Sequence, residues 1–179
     1  RIFTYGGVLM ELKKVKRICS FSVSNWHLIT MIIPYLNKEL ENEHPICTFF
    51  ETDMEEIIKE FLKKLTLKNE LKNELANLNW SSNKKYKYTQ IEEQLNNINN
   101  KNTHYIFING DLNFIKEANY LVEETNKDVK INIINCYNIV EFNKNIIDIL
   151  NSTDKILNTS GEHEIEEIFP EYVKEKKKA

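Results

Sequence analysis

Apolar positions along this chain switch repeatedly between short continuous runs and helical spacing. RICSFSV (17–23) is a short apolar run that predicts a buried strand. Behind it, Leu28, Ile32, Tyr35, Leu36 and Leu40 recur every three to four residues, which predicts a helix from Asn25 to about Glu43. Ser24 is placed to cap that helix, and Pro34 inside it predicts a kink. ICTFF (46–50) predicts a second strand, and Asp53 with Glu56 three residues on predicts a capped helix from Met54 to Leu65. The rhythm then weakens. LTLKNELKNE is polar and helix-forming, LANLNW predicts a third strand ending near Trp80, and SSNKKYKY reads as a loop. Thr89 is expected to cap a helix through about Asn99, with Ile91, Leu95 and Ile98 on one face.

The closing half is more regular. His104–Asn109 predicts a fourth strand, Asn113–Glu124 a helix, Val129–Tyr137 a fifth strand, Asn143–Asn151 a short helix and Lys155–Asn158 a sixth strand, while Gly161–Phe169 reads as a last helical turn. Strands alternating with helices imply βαβ units, and so an α/β three-layer sandwich around a mostly parallel sheet of about six strands. No internal repeat or linker interrupts it, and NNINNKN reads as a loop. The expected organisation is a single domain over residues 15–170, a peripheral segment over 1–14 and a charged, frayed tail over 171–179. Met10 would make a natural start, and RIFTYGGVL before it reads as an appended segment.

Composition narrows the function classes more than the fold. At 179 residues the chain can bury one proper core. A net charge of −3 supplies no global attraction to nucleic acid, which argues against direct contact with it. The longest apolar candidate, Trp26–Leu36, carries His27, Thr30 and Pro34 and falls short of the roughly 18 residues that span a bilayer. No basic start, apolar stretch and small-residue cleavage site occur together, so no secretion signal is read. Cys19, Cys47 and Cys136, an odd set in predicted strands, fit reduced core thiols and a cytoplasmic location.

YIFINGDLNF (105–114) poses the main chemical question, because an acidic residue after a buried strand can hold magnesium beside a nucleotide. That chemistry needs a glycine-rich phosphate cradle with a lysine, and the first strand ends instead in SVSNWH, with neither. Neither G-x-x-x-x-G-K-[ST] nor G-x-G-x-x-G occurs anywhere, so Gly110-Asp111 reads as a tight turn with its carboxylate at a helix start. His27, His44, His104 and His163 are scattered without metal-ligand spacing, and no cofactor is called for. KYKY (85–88) interleaves basic and aromatic residues as single-strand binders do, but as four residues in an acidic chain it reads as a solvated loop. The remaining candidate is a polar rim, because open parallel sheets bind ligands beyond the carboxyl ends of their strands. Its candidates are Ser22, Ser24 and Asn25, then Glu51, Thr52 and Asp53, then Gly110, Asp111 and Asn113, then Tyr137 and Asn138, and finally Thr159 and Ser160. The same residue types are what helix starts require, so capping is the competing explanation.

The order of features resembles the MEDS family, a sensory domain of methanogens and methylotrophs. Pro34-Tyr35-Leu36 and Glu39–Glu43 stand where that family has a proline-aromatic-leucine segment and a GL-x-x-G-E stretch. NGDLNF is similar to its G-E-M-x-W segment, and EANYLVEE, INIINCYNIVEF and IIDILNSTDKIL to its closing third, over about residues 15–160. Two departures stand out: the family tends to show histidines where Arg17 and Thr153-Asp154 stand here. If those histidines bind a signal molecule in relatives, this chain binds a different one or none. The resemblance implies a RecA-like scaffold without a working phosphate loop, used for sensing in transcriptional or kinase signalling.

The expectation is therefore a non-catalytic sensory or regulatory domain that binds an unknown small molecule or regulatory protein at the strand ends. Its output would pass to another protein or a self-association surface, which leaves room for a homo-oligomer. The alternatives are an inactive RecA-like interaction subunit, and an enzyme using Asp111, Glu51 or Asp53 as acid or base.

Overall fold

A computed structural model describes residues 3–5, 8–10, 14–82, 87–96, 103–125 and 129–172. The two first strands, β1 (Phe3–Tyr5) and β2 (Val8–Met10), pair with each other as an antiparallel two-stranded sheet. The main sheet is six-stranded and contains β3 (Val15–Ser22), β4 (Ile46–Phe50), β5 (His104–Asn109), β6 (Ile131–Asn138), β7 (Lys155–Asn158) and β8 (Gly161–His163) in the order β4-β5-β6-β3-β7-β8. All neighbours are parallel except β7 and β8, which form an antiparallel hairpin at one edge.

Side-chain alternation along the strands assigns the two helical layers. Ile18, Phe50, Phe107, Ile134 and Leu157 point into one core, shared with α1 (Asn25–Glu41), α2 (Glu55–Lys64) and α3 (Asn69–Asn77). Their sequence neighbours Cys19, Phe49, Ile106, Ile133 and Ile156 point into the other, shared with α4 (Lys87–Asn96), α5 (Leu112–Thr125) and α6 (Ile139–Asn151). Strand order explains the sides of α1, α4, α5 and α6, whereas α2 and α3 follow β4 but stay on the α1 face. From β3 the chain travels outward to the edge at β4, then returns through β5 and β6 and past β3 to β7. Right-handed crossovers put helices of opposite travel on opposite faces. The expected three-layer α/β sandwich is therefore the fold.

Two elements differ from the sequence reading. LANLNW is not a strand: Leu71 and Leu75 continue a helical face, and only Ser82 bridges β4, at Phe50. Residues 78–82 are instead tied along that edge by hydrogen bonds, the Trp80 indole donating to Leu75 O (2.7 Å) and Thr48 Oγ1 to Asn79 O (2.6 Å). Gly161–Phe169 is not one helical turn. Gly161, at φ +113°, opens the edge strand β8, and α7 (Ile165–Ile168) follows it. Helix starts also shift. Thr89 lies inside α4 rather than capping it, and α6 begins at Ile139 rather than Asn143. α1 runs as one helix across Pro34, while non-helical dihedrals occur in α6 at Asn145 (φ −125°, ψ 20°). The tail 173–179, the NNINNKN stretch beyond Asn96, Ile98, and Lys85-Tyr86 of KYKY lie outside the described residues.

Among the described residues no helix is long and apolar enough to cross a membrane. Cys19 and Cys136 are buried free thiols, and Cys47 is half-buried rather than fully so. Burial raises the Cys47 thiol to about 11 and the Cys136 thiol to about 12, which keeps both in the unreactive protonated form at neutral pH.

Toward the amino ends of β3 and β5, on the α1 face, lies a connected polar network. Glu162 accepts hydrogen bonds from Lys16 Nζ (2.6 Å) and the Tyr35 hydroxyl (2.5 Å). Tyr35 meets Tyr105 edge to face, and Tyr105 stacks on His44, whose Nδ1 sits 2.7 Å from the buried Glu39 carboxylate. Burial first, then Glu39, pushes the Tyr105 phenol up to about 12.

Candidate functional site

The strand-end residues named from sequence fall into two groups. Parallel pairing sets Ser22 opposite Asn138 and Phe21 opposite Tyr137, so Ser22, Ser24, Asn25, Tyr137 and Asn138 gather where β3 and β6 end. Pairing of Phe50 with Asn109 likewise brings Glu51, Asp53, Gly110 and Asp111 together beyond β4 and β5, with Asn113 exposed on the first turn of α5. Both places are crevices between strands whose following helices leave for opposite faces, the position where such sheets commonly bind ligands.

What fills these crevices is the chain's own hydrogen bonding. Ser24 Oγ accepts from the His27 amide (3.1 Å), and His27 Nδ1 accepts from the Val23 amide (3.2 Å). Asp53 Oδ1 accepts from the Glu55 amide (2.9 Å), Asp111 Oδ1 from the Phe114 amide (2.8 Å) and Asn138 Oδ1 from the Val140 amide (2.9 Å). Three of the named residues, Ser24, Asp111 and Asn138, thus cap helix starts, where orphan amides would otherwise lack partners. Asp53 is not the cap expected of it: Met54 is the N-cap of α2, and Asp53 stands one place before it, bonded to the Glu55 amide. Asp53 and Asp111 are exposed, as is Asn25; Ser22 and Tyr137 are buried. Thr52 is exposed, and Asn158 Oδ1 takes up the Ser160 amide (2.8 Å) in the β7–β8 turn that also holds Thr159.

Glu51 has a different part. Its carboxylate reaches across the β4–β5 crevice and accepts from the Asp111 amide (2.7 Å), in the position an anionic ligand would take at a helix start. Gly110 permits this approach: a Cβ there would lie 2.8 Å from Glu51 Oε2 and 2.6 Å from the Phe114 ring. The amides of His27 and Val140 at one crevice, and of Glu55, Asp111 and Phe114 at the other, are therefore already partnered within the chain. Ser24→Ala is expected to cost about 1 kcal/mol of stability by leaving the His27 amide unpartnered, and thermal unfolding of the variant checks it.

A second concavity lies on the α5–α6 face and was not anticipated. It encloses about 560 Å³, within the range of small-molecule sites. Its floor is Arg17 of β3 with Asn135 and Tyr137 of β6. α5 supplies one wall with Lys116, Asn119 and Tyr120, and α6 the other with Asp148 and Ile149. The floor is polar where a central strand is normally apolar. Asn135, 6% exposed, exchanges two hydrogen bonds with Asn119 (2.7 and 3.2 Å), and Asn119 also donates to Ile115 O (2.8 Å). Arg17 is ion-paired to Glu123 at one end of the groove. Among the described residues nothing hydrogen-bonds the Tyr137 hydroxyl. Burial, then the neighbouring Cys19 and Cys136, raises that phenol while Arg17 pulls it back.

The turn at Asp154, which is outside the lining of this groove, meets Arg17 beside it. The Arg17 amide donates to Asp154 Oδ2 (2.8 Å) and the Asp154 amide donates to Arg17 O (2.8 Å), while Ser152 and Arg17 both line the groove. Of the predicted rim, Tyr137 alone contributes here. In sequence Asn135 is one of two amides, with Asn132, inside the β6 stretch INIINC, so the sequence alone does not single it out for this site. Among the described residues no three His, Cys, Asp or Glu side chains gather as a metal site. Compared with known proteins, the chain matches no family model, no curated protein and no solved structure.

Proposed function

We propose that this chain is a non-catalytic sensory or regulatory domain that binds a small ligand or protein partner and transmits a change of shape in transcriptional or kinase signalling. The observation that supports this reading is that the chain itself partners the amides of His27, Glu55, Phe114 and Val140 at the strand ends, with Glu51 on the Asp111 amide where a ligand phosphate would sit. An enzyme using Glu51, Asp53 or Asp111 would need a carboxylate held ready for proton transfer, whereas the two aspartates are exposed and spend an oxygen on first-turn amides. The resemblance to MEDS domains points the same way, and its two departures fall at one place, beside Arg17.

Recognition then belongs to the α5–α6 groove, which reaches the rim through Tyr137. A ligand transmits a signal only if it favours one of two conformations. α6 offers a place for that change. Its helix is interrupted at Asn145, whose side chain donates to Glu141 O (3.0 Å), and Asp148 and Ile149 of the groove wall lie one turn beyond. The half-buried and buried thiols accord with a reducing, cytoplasmic setting, and the partner receiving the output is a regulatory protein or a second copy of the chain.

With ATP and magnesium the protein is expected to release no phosphate above a protein-free control and to show no rise in melting temperature. Small polar metabolites that enter the groove raise it, because any ligand of the folded state does. Turnover of ATP would overturn the reading.

A further inference from the structure

We infer that the α5–α6 groove is built for a zwitterion of amino-acid to dipeptide size, its carboxylate held by Lys116 and its ammonium group by Asp148. This rests on the proposed ligand-binding function and specifies the chemistry of that site. The groove has two cations and two anions along it, Arg17 and Lys116 against Glu123 and Asp148. Arg17 and Glu123 neutralise each other at one end. Among the described residues Lys116 and Asp148 have no ion-pair partner, and they stand on opposite walls, one on α5 and one on α6. A simple anion engages only Lys116 and a simple cation only Asp148. A neutral sugar or nucleoside engages neither charge. A ligand carrying both signs satisfies the two walls together, and charge-assisted hydrogen bonds are the strongest polar contacts available to it.

The floor fits the same class. The Asn119–Asn135 pair is closed on itself by two hydrogen bonds, yet each carboxamide keeps spare acceptor capacity, and Asn135 keeps a spare N–H. With the Tyr137 hydroxyl beside it, the floor presents both donors and acceptors to the amide or polar side chain of a bound molecule. Leu112, Ile115 and Ile149 supply an apolar flank for its carbon skeleton. Bridging α5 to α6 also gives the ligand leverage: Asp148 lies beyond the interruption at Asn145, so the charge contact draws the last turns of α6 toward α5.

Titration calorimetry and thermal-shift measurements on the full chain test this, using the twenty free L-amino acids and a set of dipeptides as probes. Nucleosides and glucose serve as neutral probes, and inorganic phosphate and acetate as anions. At least one amino acid or dipeptide is expected to bind, with affinity falling at least tenfold when its amine is acetylated or its carboxylate amidated. Lys116→Gln is expected to weaken the parent ligand at least tenfold and to abolish the preference for the free carboxylate. Asp148→Asn should do the same for the free amine. Both residues are exposed, and unchanged melting of the unliganded variants shows that the fold is intact. Binding that ignores the acetyl and amide derivatives, or both substitutions, overturns the assignment. So does binding by neutral or anionic probes alone, although that result keeps the ligand-binding function. Silence from every probe class overturns both.

Discussion

Phe107→Ala is expected to lower the unfolding free energy by about 3–5 kcal/mol. At about 2–4 °C per kcal/mol in a chain of this size, the melting midpoint should fall by roughly 10 °C. The size of the effect comes from position. Phe107 is fully buried on β5, with β4 on one side and β6 on the other, so the backbone cannot close over the hole. Its ring meets Tyr35 of α1 edge to face at 5.9 Å and 70°, and that contact is lost as well. Urea or thermal melts measure the cost. A loss below about 1 kcal/mol would mean that the α1 layer does not pack on the centre of the sheet.

Phe107 also shows why the layers could be read from sequence. In β5 successive residues Tyr105, Ile106, Phe107 and Ile108 serve alternate cores, so a parallel strand covered on both faces appears as a near-continuous apolar run. Five strands were placed this way: RICSFSV, ICTFF, HYIFIN, VKINIINCY and KILN each match a strand to within two residues. The failures came where that rule has little to act on. LANLNW alternates apolar and amide residues, its Leu75 and Trp80 sealing one edge of the core, and six residues do not separate a helix end from a strand. β8 is three residues long and only half-buried, too short to show a period of two.

The candidate site divides along the same line. Ser24, Asp53, Asp111 and Asn138 were recognisable as helix-start residues because their bonds are local: each bonds an amide two or three residues ahead, though at α2 the cap itself is Met54. Sequence could name them but could not say whether a ligand or the chain used their oxygens. Glu51 shows the limit, since its partner is the amide of Asp111, sixty residues away. The groove has no local signature at all. Arg17, Asn119, Asn135 and Asp148 come from four different elements and converge only because β6 lies beside β3 beneath α5 and α6. Asn135 is one of two amides inside β6, and its 6% exposure and two bonds to Asn119, which only the fold shows, set it apart.

Glu162→Gln is expected to cost about 2 kcal/mol at neutral pH, through loss of charge-assisted hydrogen bonds, and to cost progressively less as the pH is lowered. Half-burial pushes the Glu162 carboxyl upward, but hydrogen bonds from Lys16 and Tyr35 and the charges of Lys16 and Lys155 pull harder, so it lies below the ordinary carboxylate value. A carboxyl depressed in the folded state stabilises fully above its unfolded value, about 4.3, and that contribution disappears as the pH falls through the lower folded value. The parent protein should therefore lose stability below about pH 4 faster than the variant, and the two urea-unfolding curves should converge there. The contact matters to the architecture because Glu162 belongs to the short edge strand β8, and its bonds to Lys16 of β3 and Tyr35 of α1 tie that edge to the sheet and the helical layer at once. A difference that stays constant from pH 7 to pH 3 would assign the effect to packing of the side chain instead of its charge.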